Sequence, residues 1–184
     1  TENVDPLEMV TKYMVPAMDE VGRRFECQEY FVPELLIAAR AMKGALELIR
    51  PLLTASGAPS AGSVIIGTVR GDLHDIGKNL VASMLEGAGF DVFDLGTDVT
   101  PQKFIAEAKA KKAKIVALSA LLTTTMTSMK TTIEEFKKDG VRDQFKFMIG
   151  GAPVTQEYAD QIGADAYGEN AHSAVSLARK LAGA

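Results

Sequence analysis

The stretch SVIIGTVRGDLHDIGKNLVASMLEGAG, residues 63–89, carries three patterns in succession. A β-branched run at 63–69 suits a buried strand, a polar loop between Gly71 and Gly77 suits a turn, and the apolar residues from Ile76 onward recur at helical spacing. The same alternation repeats down the chain. DVFDLG (91–96), AKIVALS (113–119), FKFMIGG (145–151) and ADAYG (164–168) read as strands, with helices between them and after the last. Thr100 followed by Pro101 marks a helix start, and Gly89 and Gly140 mark helix ends. Five such units predict an α/β fold, a parallel sheet with helices on both faces. Its ligand site is expected outside the carboxyl ends of the strands, near the point where strand order reverses. The loops after the first, third and fourth strands are therefore where function is to be sought.

Upstream, TASGAPSAGS (54–63) is small and polar, the composition of a linker. It divides the chain into a helical unit (1–54), a linker (55–63) and an α/β domain (64–184). Met9, Val10, Tyr13, Met14, Ala17 and Val21 fall at helical spacing between Pro6 and about Arg24. Leu35, Leu36, Ala39, Met42, Leu46 and Ile49 do the same between Phe31 and Arg50. Pro16 predicts a kink or break in the first helix, whereas Pro33 fits the first turn of the second. Two helices cannot bury both apolar faces alone, so they are expected to lean on the α/β domain, on further helices or on a ligand.

The 184 residues are 47% hydrophobic and 24% charged, which is enough for a packed core and gives no case for disorder. A net charge of -4 supplies no attraction to nucleic acid or to an anionic membrane, so neither is expected as a partner. The start has no basic segment leading into an apolar run, and no stretch approaches about 18 uncharged apolar residues, so a cytoplasmic protein is expected. One cysteine, Cys27, cannot form an internal disulfide. With only His74 and His172 beside it, a zinc site of three or four such ligands is out of reach.

His74 stands between Asp72 and Asp75 in a loop bounded by Gly71 and Gly77. A carboxylate that holds one ring N–H fixes the tautomer and frees the other nitrogen as a ligand or base. The glycines permit a turn and the close approach of a bulky group. On spacing alone, a solvated loop histidine remains an equal reading.

GDLHDIG, however, resembles the DxHxxG signature of cobalamin-binding domains that hold the cofactor base-off and His-on. Ser119-Ala120-Leu121 resembles that family's SxL after the third strand, and Gly150-Gly151 its GG after the fourth. VGRRFECQEYFVPELLIAARAM (21–42) is similar to the helical cap of methionine synthase and of corrinoid methyl carriers, although the cap here is shorter than the usual bundle. The resemblance implies a flavodoxin-like (Rossmann-like) five-stranded parallel sheet preceded by a partial helical-bundle cap. It further implies cobalamin as cofactor, with His74 as the lower axial ligand of cobalt and Asp72 on its other ring nitrogen. Thr125 takes the place of the hydroxyl that ends the family's relay. Leu73, Asp75, Ile76 and Gly77 complete the motif loop around them. Ser119, Leu121 and Thr123 would line the slot for the nucleotide tail; Gly150, Gly151 and Ala152 would form a close wall; Tyr167 and Gly168 would border it. Phe25 and Val32 of the cap would shield the upper corrin face or, as ordinary apolar residues, pack helix against helix.

The function so implied is a methyl carrier. It would shuttle a methyl group on cobalt between a substrate:corrinoid methyltransferase and a second, folate or thiol methyltransferase, with a reductive activator protein as a further partner. Nothing in the chain suggests a separate catalytic acid–base pair. An adenosylcobalamin mutase subunit would lack the cap, and a B12-sensing regulator would add a DNA-binding or signalling domain. A response-regulator-like domain without corrin would need an Asp after the third strand, where Ser119 stands. Cys27 reads as incidental, His172 as a surface residue at a helix amino end, and the lysines at 109, 111 and 112 as a solvated helix face.

Overall fold

The computed structural model describes residues 6–55 and 61–183. Five parallel strands form its centre: β1 (Ser63–Thr68), β2 (Asp91–Asp94), β3 (Ile115–Ser119), β4 (Lys146–Gly150) and β5 (Ala166–Gly168), in the order β2-β1-β3-β4-β5. This is the predicted α/β sheet, and its order is that of the flavodoxin-like fold. Strand order reverses between β1 and β3, which pair from Val64 with Ile115 to Thr68 with Ser119.

Alternation along the strands divides the core into two. Val64, Ile66, Ala117 and Met148 face α4 (Ile76–Gly87) and α8 (Ala171–Ala182), which cover one side. Ile65, Val116, Leu118, Phe147 and Ile149 face the other side, under α5 (Pro101–Ala110), α6 (Thr123–Lys138) and α7 (Gln156–Ile162). There Phe136 meets Phe145 and Phe147 edge to face, at centroid distances of 5.5 and 4.9 Å. Helix ends follow the local chemistry of the sequence. Thr100 caps α5 by accepting from the Lys103 amide, and Gly89 and Gly140 take positive φ just past α4 and α6.

The cap begins with α1 (Pro6–Met9), continues through a π-helical turn (Val10–Met14) into α2 (Val15–Glu26), and returns as α3 (Val32–Ala55). Pro16 widens the helix before it instead of breaking it: proline offers no N–H to the preceding turn, and the Val15 amide reaches back to the Val10 carbonyl. At the start of α3, the Glu34 carboxylate accepts from the Phe31 amide at 2.9 Å. This helix runs on to Ala55, beyond the expected end near Arg50, so Ala55 belongs to the helix and not to a linker; residues 56–60 of the linker lie outside the described residues.

The cap leans on the α/β domain. Met18 of α2 and Leu35, Ala39, Met42 and Leu46 of α3 join the same core as Leu85 of α4 and Val175 of α8. Gly87 of α4 faces Met42 and Met18 at this seam, where a Cβ would lie at ordinary contact distance, 3.5 Å from the Met42 side chain. No helix among the described residues is long and apolar enough to cross a membrane.

Candidate functional site

The loop from β1 to α4 is organised by one carboxylate. Asp72 is fully buried, and its Oδ1 accepts from the His74 amide at 3.0 Å and from His74 Nδ1 at 2.7 Å. Its Oδ2 accepts from the Leu121 amide at 2.8 Å, the Leu122 amide at 3.4 Å and the Thr125 hydroxyl at 2.6 Å. Burial pushes the carboxyl toward its neutral form, but the donors from Thr125, His74 and Leu121 outweigh it and hold the pKa below the usual carboxylate range. The ionised Asp72 therefore keeps a proton on His74 Nδ1. Nε2, with no partner among the described residues, presents its lone pair outward.

The loop is held from several sides, so the histidine is positioned before any ligand arrives. Thr68 Oγ1 donates to the His74 carbonyl at 2.8 Å, and Asp98 Oδ1 accepts from the Gly71 amide at 2.7 Å. The Asp98 amide in turn donates to the Asp72 carbonyl at 3.0 Å.

His74 borders a cavity of about 650 Å³ at the carboxyl ends of the strands, a volume suited to part of a large organic ligand. Its walls come from the loops after β1, β3, β4 and β5, with Phe25 of α2 on the cap side. Two glycines make the wall possible. A Cβ at Gly151, which has φ +135°, would stand 1.9 Å from the Ala120 carbonyl oxygen, and one at Gly150 would stand 3.0 Å from the Gly168 carbonyl oxygen. Gly77 differs. It lines the cavity in the first turn of α4, and a Cβ there would meet nothing within 4 Å among the described residues beyond its chain neighbours and its own helix backbone. Nothing in the protein itself calls for glycine at that position, where alanine would make the better helix.

Comparison with known proteins agrees with this geometry. A B12 binding domain model matches residues 62–176, and a second model of the same description matches residues 1–50. The chain belongs to the B12-binding domain family. It is 49% identical over 180 residues to trimethylamine corrinoid protein 1 of Methanosarcina acetivorans, covering 97% of this chain and 83% of that protein. Among solved structures, a cobalamin-binding protein from Desulfitobacterium hafniense matches with a TM-score of 0.84 and 35% identity, over 96% of this chain and 82% of that one. The methanol:cobalamin methyltransferase complex of Methanosarcina barkeri contains a chain that matches with a TM-score of 0.81 and 30% identity, over 97% of this chain and 68% of that one. The cofactor is a corrinoid.

The residues present in this B12-binding domain fit such a group. An unshared imidazole nitrogen faces out beside a largely apolar cavity, and the backbone of Gly150 and Gly151 comes up to its wall without side chains. Leu73, Asp75, Ile76, Gly77, Ser119, Leu121, Ala152 and Gly168 all border the cavity with His74. Asp72 and Thr125 stand behind the histidine, buried and out of the lining.

Two residues expected at the slot, Tyr167 and Thr123, and one expected to shield the upper face, Val32, do not line this cavity. Tyr167 packs into the core on the opposite face of the sheet, because Ala166 and Gly168 take the cavity face of a three-residue strand and alternation turns Tyr167 away. Thr123 lies exposed at the start of α6 and Val32 exposed at the start of α3, neither on the cavity wall. Other wall residues went unread in the sequence. Lys78 lines the cavity with its charge buried, paired with Asp94 and donating to Asn79 at 2.6 Å. Ala171 and Ala174 continue the wall from Gly168 onto α8. Small residues recurring beside a glycine were the available signal for the alanines, whereas nothing in the spacing marks Lys78 as buried.

Proposed function

We propose that the chain is a methyl carrier that binds its corrinoid base-off and His-on, with His74 Nε2 as the lower axial ligand. The observation that carries this reading is the single free imidazole nitrogen at the cavity, its tautomer locked through Asp72 to Thr125. When bound, the corrinoid supplies the cobalt that accepts and releases the methyl group. The chain's own residues bind, orient and shield. Asp72 holds the Nδ1 proton and so tunes how strongly Nε2 donates, and Thr125 and the Leu121 amide keep Asp72 ionised. Gly77, Gly150 and Gly151 let the ligand approach backbone. The Ser119 hydroxyl, which has no protein partner among the described residues, is available to its polar tail. Phe25 covers the cavity from the cap.

The methyl donor in this reading is a methylated amine, presented by a substrate:corrinoid methyltransferase. Support comes from the similarity to a trimethylamine corrinoid protein and from the likeness to a chain of a methyltransferase complex. A second methyltransferase with a folate or thiol acceptor and a reductive activator complete the proposed cycle. The setting is the cytoplasm, where an exposed free thiol such as Cys27 stays reduced.

Reconstitution with hydroxocobalamin tests the proposal. One corrinoid per chain is expected, and His74→Ala is expected to shift the visible spectrum by removing the axial imidazole. An unchanged spectrum in the variant would overturn the His-on assignment.

A further inference from the structure

The second histidine has no part in the cofactor reading, yet it is not the surface residue its position suggests. His172 is half-buried in the first turn of α8, and its imidazole lies over Gly22 of α2: a Cβ built on Gly22 would stand 1.8 Å from His172 Nδ1 and 2.5 Å from Cε1. Gly22 is buried in mid-helix, where glycine costs helix stability, and the imbedded ring is what calls for it. The same seam holds one ion pair, Arg179 Nη1 to Asp19 Oδ1 at 2.8 Å. Arg179 Nη2 is buried there without a hydrogen-bond partner among the described residues.

The two cap helices are thus attached differently. Helix α3 puts four buried apolar side chains into the core it shares with α4, whereas α2 buries only Met18 there, with Val15, Val21 and Phe25 partly buried against that core, and meets α8 through a ring over a glycine and an ion pair. Water can take over both polar groups when that seam parts, which makes it the cheaper one to open. One turn beyond Gly22, Phe25 lines the cavity.

We infer that His172 is a positioning residue, the seat on which α2 closes: it holds Phe25 over the cavity while α3 stays anchored, so α2 alone is the part that opens. This rests on the reading of the cavity as the cofactor site, but the seating can be measured without cofactor.

The test is amide hydrogen exchange across α2 in the cofactor-free chain. Gly22→Ala forces a methyl group into the ring and is expected to speed exchange in α2 about tenfold, with the central strands unchanged. His172→Ala removes the seat and is expected to speed it by a smaller factor. In the His172→Ala background the sign reverses: Gly22→Ala slows exchange, because the space is free and alanine is the better helix former. If Gly22→Ala alone does not fold, folding of the double variant while the single one fails carries the same support. An equal effect of Gly22→Ala in both backgrounds, or unaltered α2 exchange in His172→Ala, overturns the inference. Hydroxocobalamin binding is measured alongside; its absence in the unmodified chain would remove the cofactor reading and leave the exchange data to decide the seating.

Discussion

Two places in the molecule pair a histidine with a glycine, and they work in opposite ways. At the α2–α8 seam the ring of His172 fills the space above Gly22, so each residue explains the other and the contact is complete within the protein. In the β1–α4 loop His74 is fixed from behind by Asp72 and turns its free nitrogen outward, while Gly77 faces nothing within 4 Å among the described residues outside its own helix turn. A glycine matched from within is a packing device. A glycine on a cavity wall without a protein neighbour points to a partner that is not protein, and beside an unshared imidazole nitrogen it points to the corrinoid.

Gly151→Ala is expected to break this picture most severely. Its neighbour is the Ala120 carbonyl, a backbone group that cannot swing aside as a side chain can, and the positive φ adds strain. A loss of about 4 kcal/mol is expected in urea unfolding, most of the stability of a typical domain's smaller members. Asp72→Asn comes next. Its amide has one oxygen where the carboxylate has two, so its NH2 group must face donors on one side, those of Leu121 and Thr125 or those of His74, at a cost of about 3 kcal/mol and with loss of the charge that holds the His74 Nδ1 proton. The pH profile should change with it. The Asp72 pKa is lowered in the folded state, so its contribution is complete above the ordinary carboxylate range and is lost as pH falls through the folded value; Asp72→Asn should remove that part of the acid sensitivity of the urea midpoint. Gly77→Ala should have the smallest effect on folding and the opposite sign. It is expected to stabilise the cofactor-free chain by up to about 1 kcal/mol through helix propensity while weakening hydroxocobalamin binding in a titration. Alanine tolerated on both counts would remove the distinction between the two glycines.

Much of this was legible in the sequence because it is local. The strand runs from Val64 to Ile66 and from Ile115 to Leu118, the Thr100 cap and the helix-ending glycines each depend on neighbours a few residues away. The His74 loop was legible for the same reason: Asp72, His74 and Gly77 act within one turn of chain. What escaped was decided at long range. Gly22 and His172 meet across the fold, and no spacing connects them. Tyr167 sits in a strand too short for its alternation to declare a face, and the burial of Lys78 depends on Asp94 arriving from β2. Pro16 announced a kink or break, but not which, because the widening of a helix by one residue leaves no compositional trace.

The central claim is that His74 supplies the axial nitrogen, and its most direct measurement is electron paramagnetic resonance of the cobalt(II) form of the reconstituted protein. The axial nitrogen splits the cobalt lines, and the corrinoid's own base would split them likewise, so the chain is grown with histidine labelled with nitrogen-15. The account predicts that the triplet of ordinary nitrogen becomes a doublet on labelling, and does so in His172→Ala as well. A triplet that survives the labelling would show a nitrogen from outside the protein's histidines on cobalt, and would contradict the account.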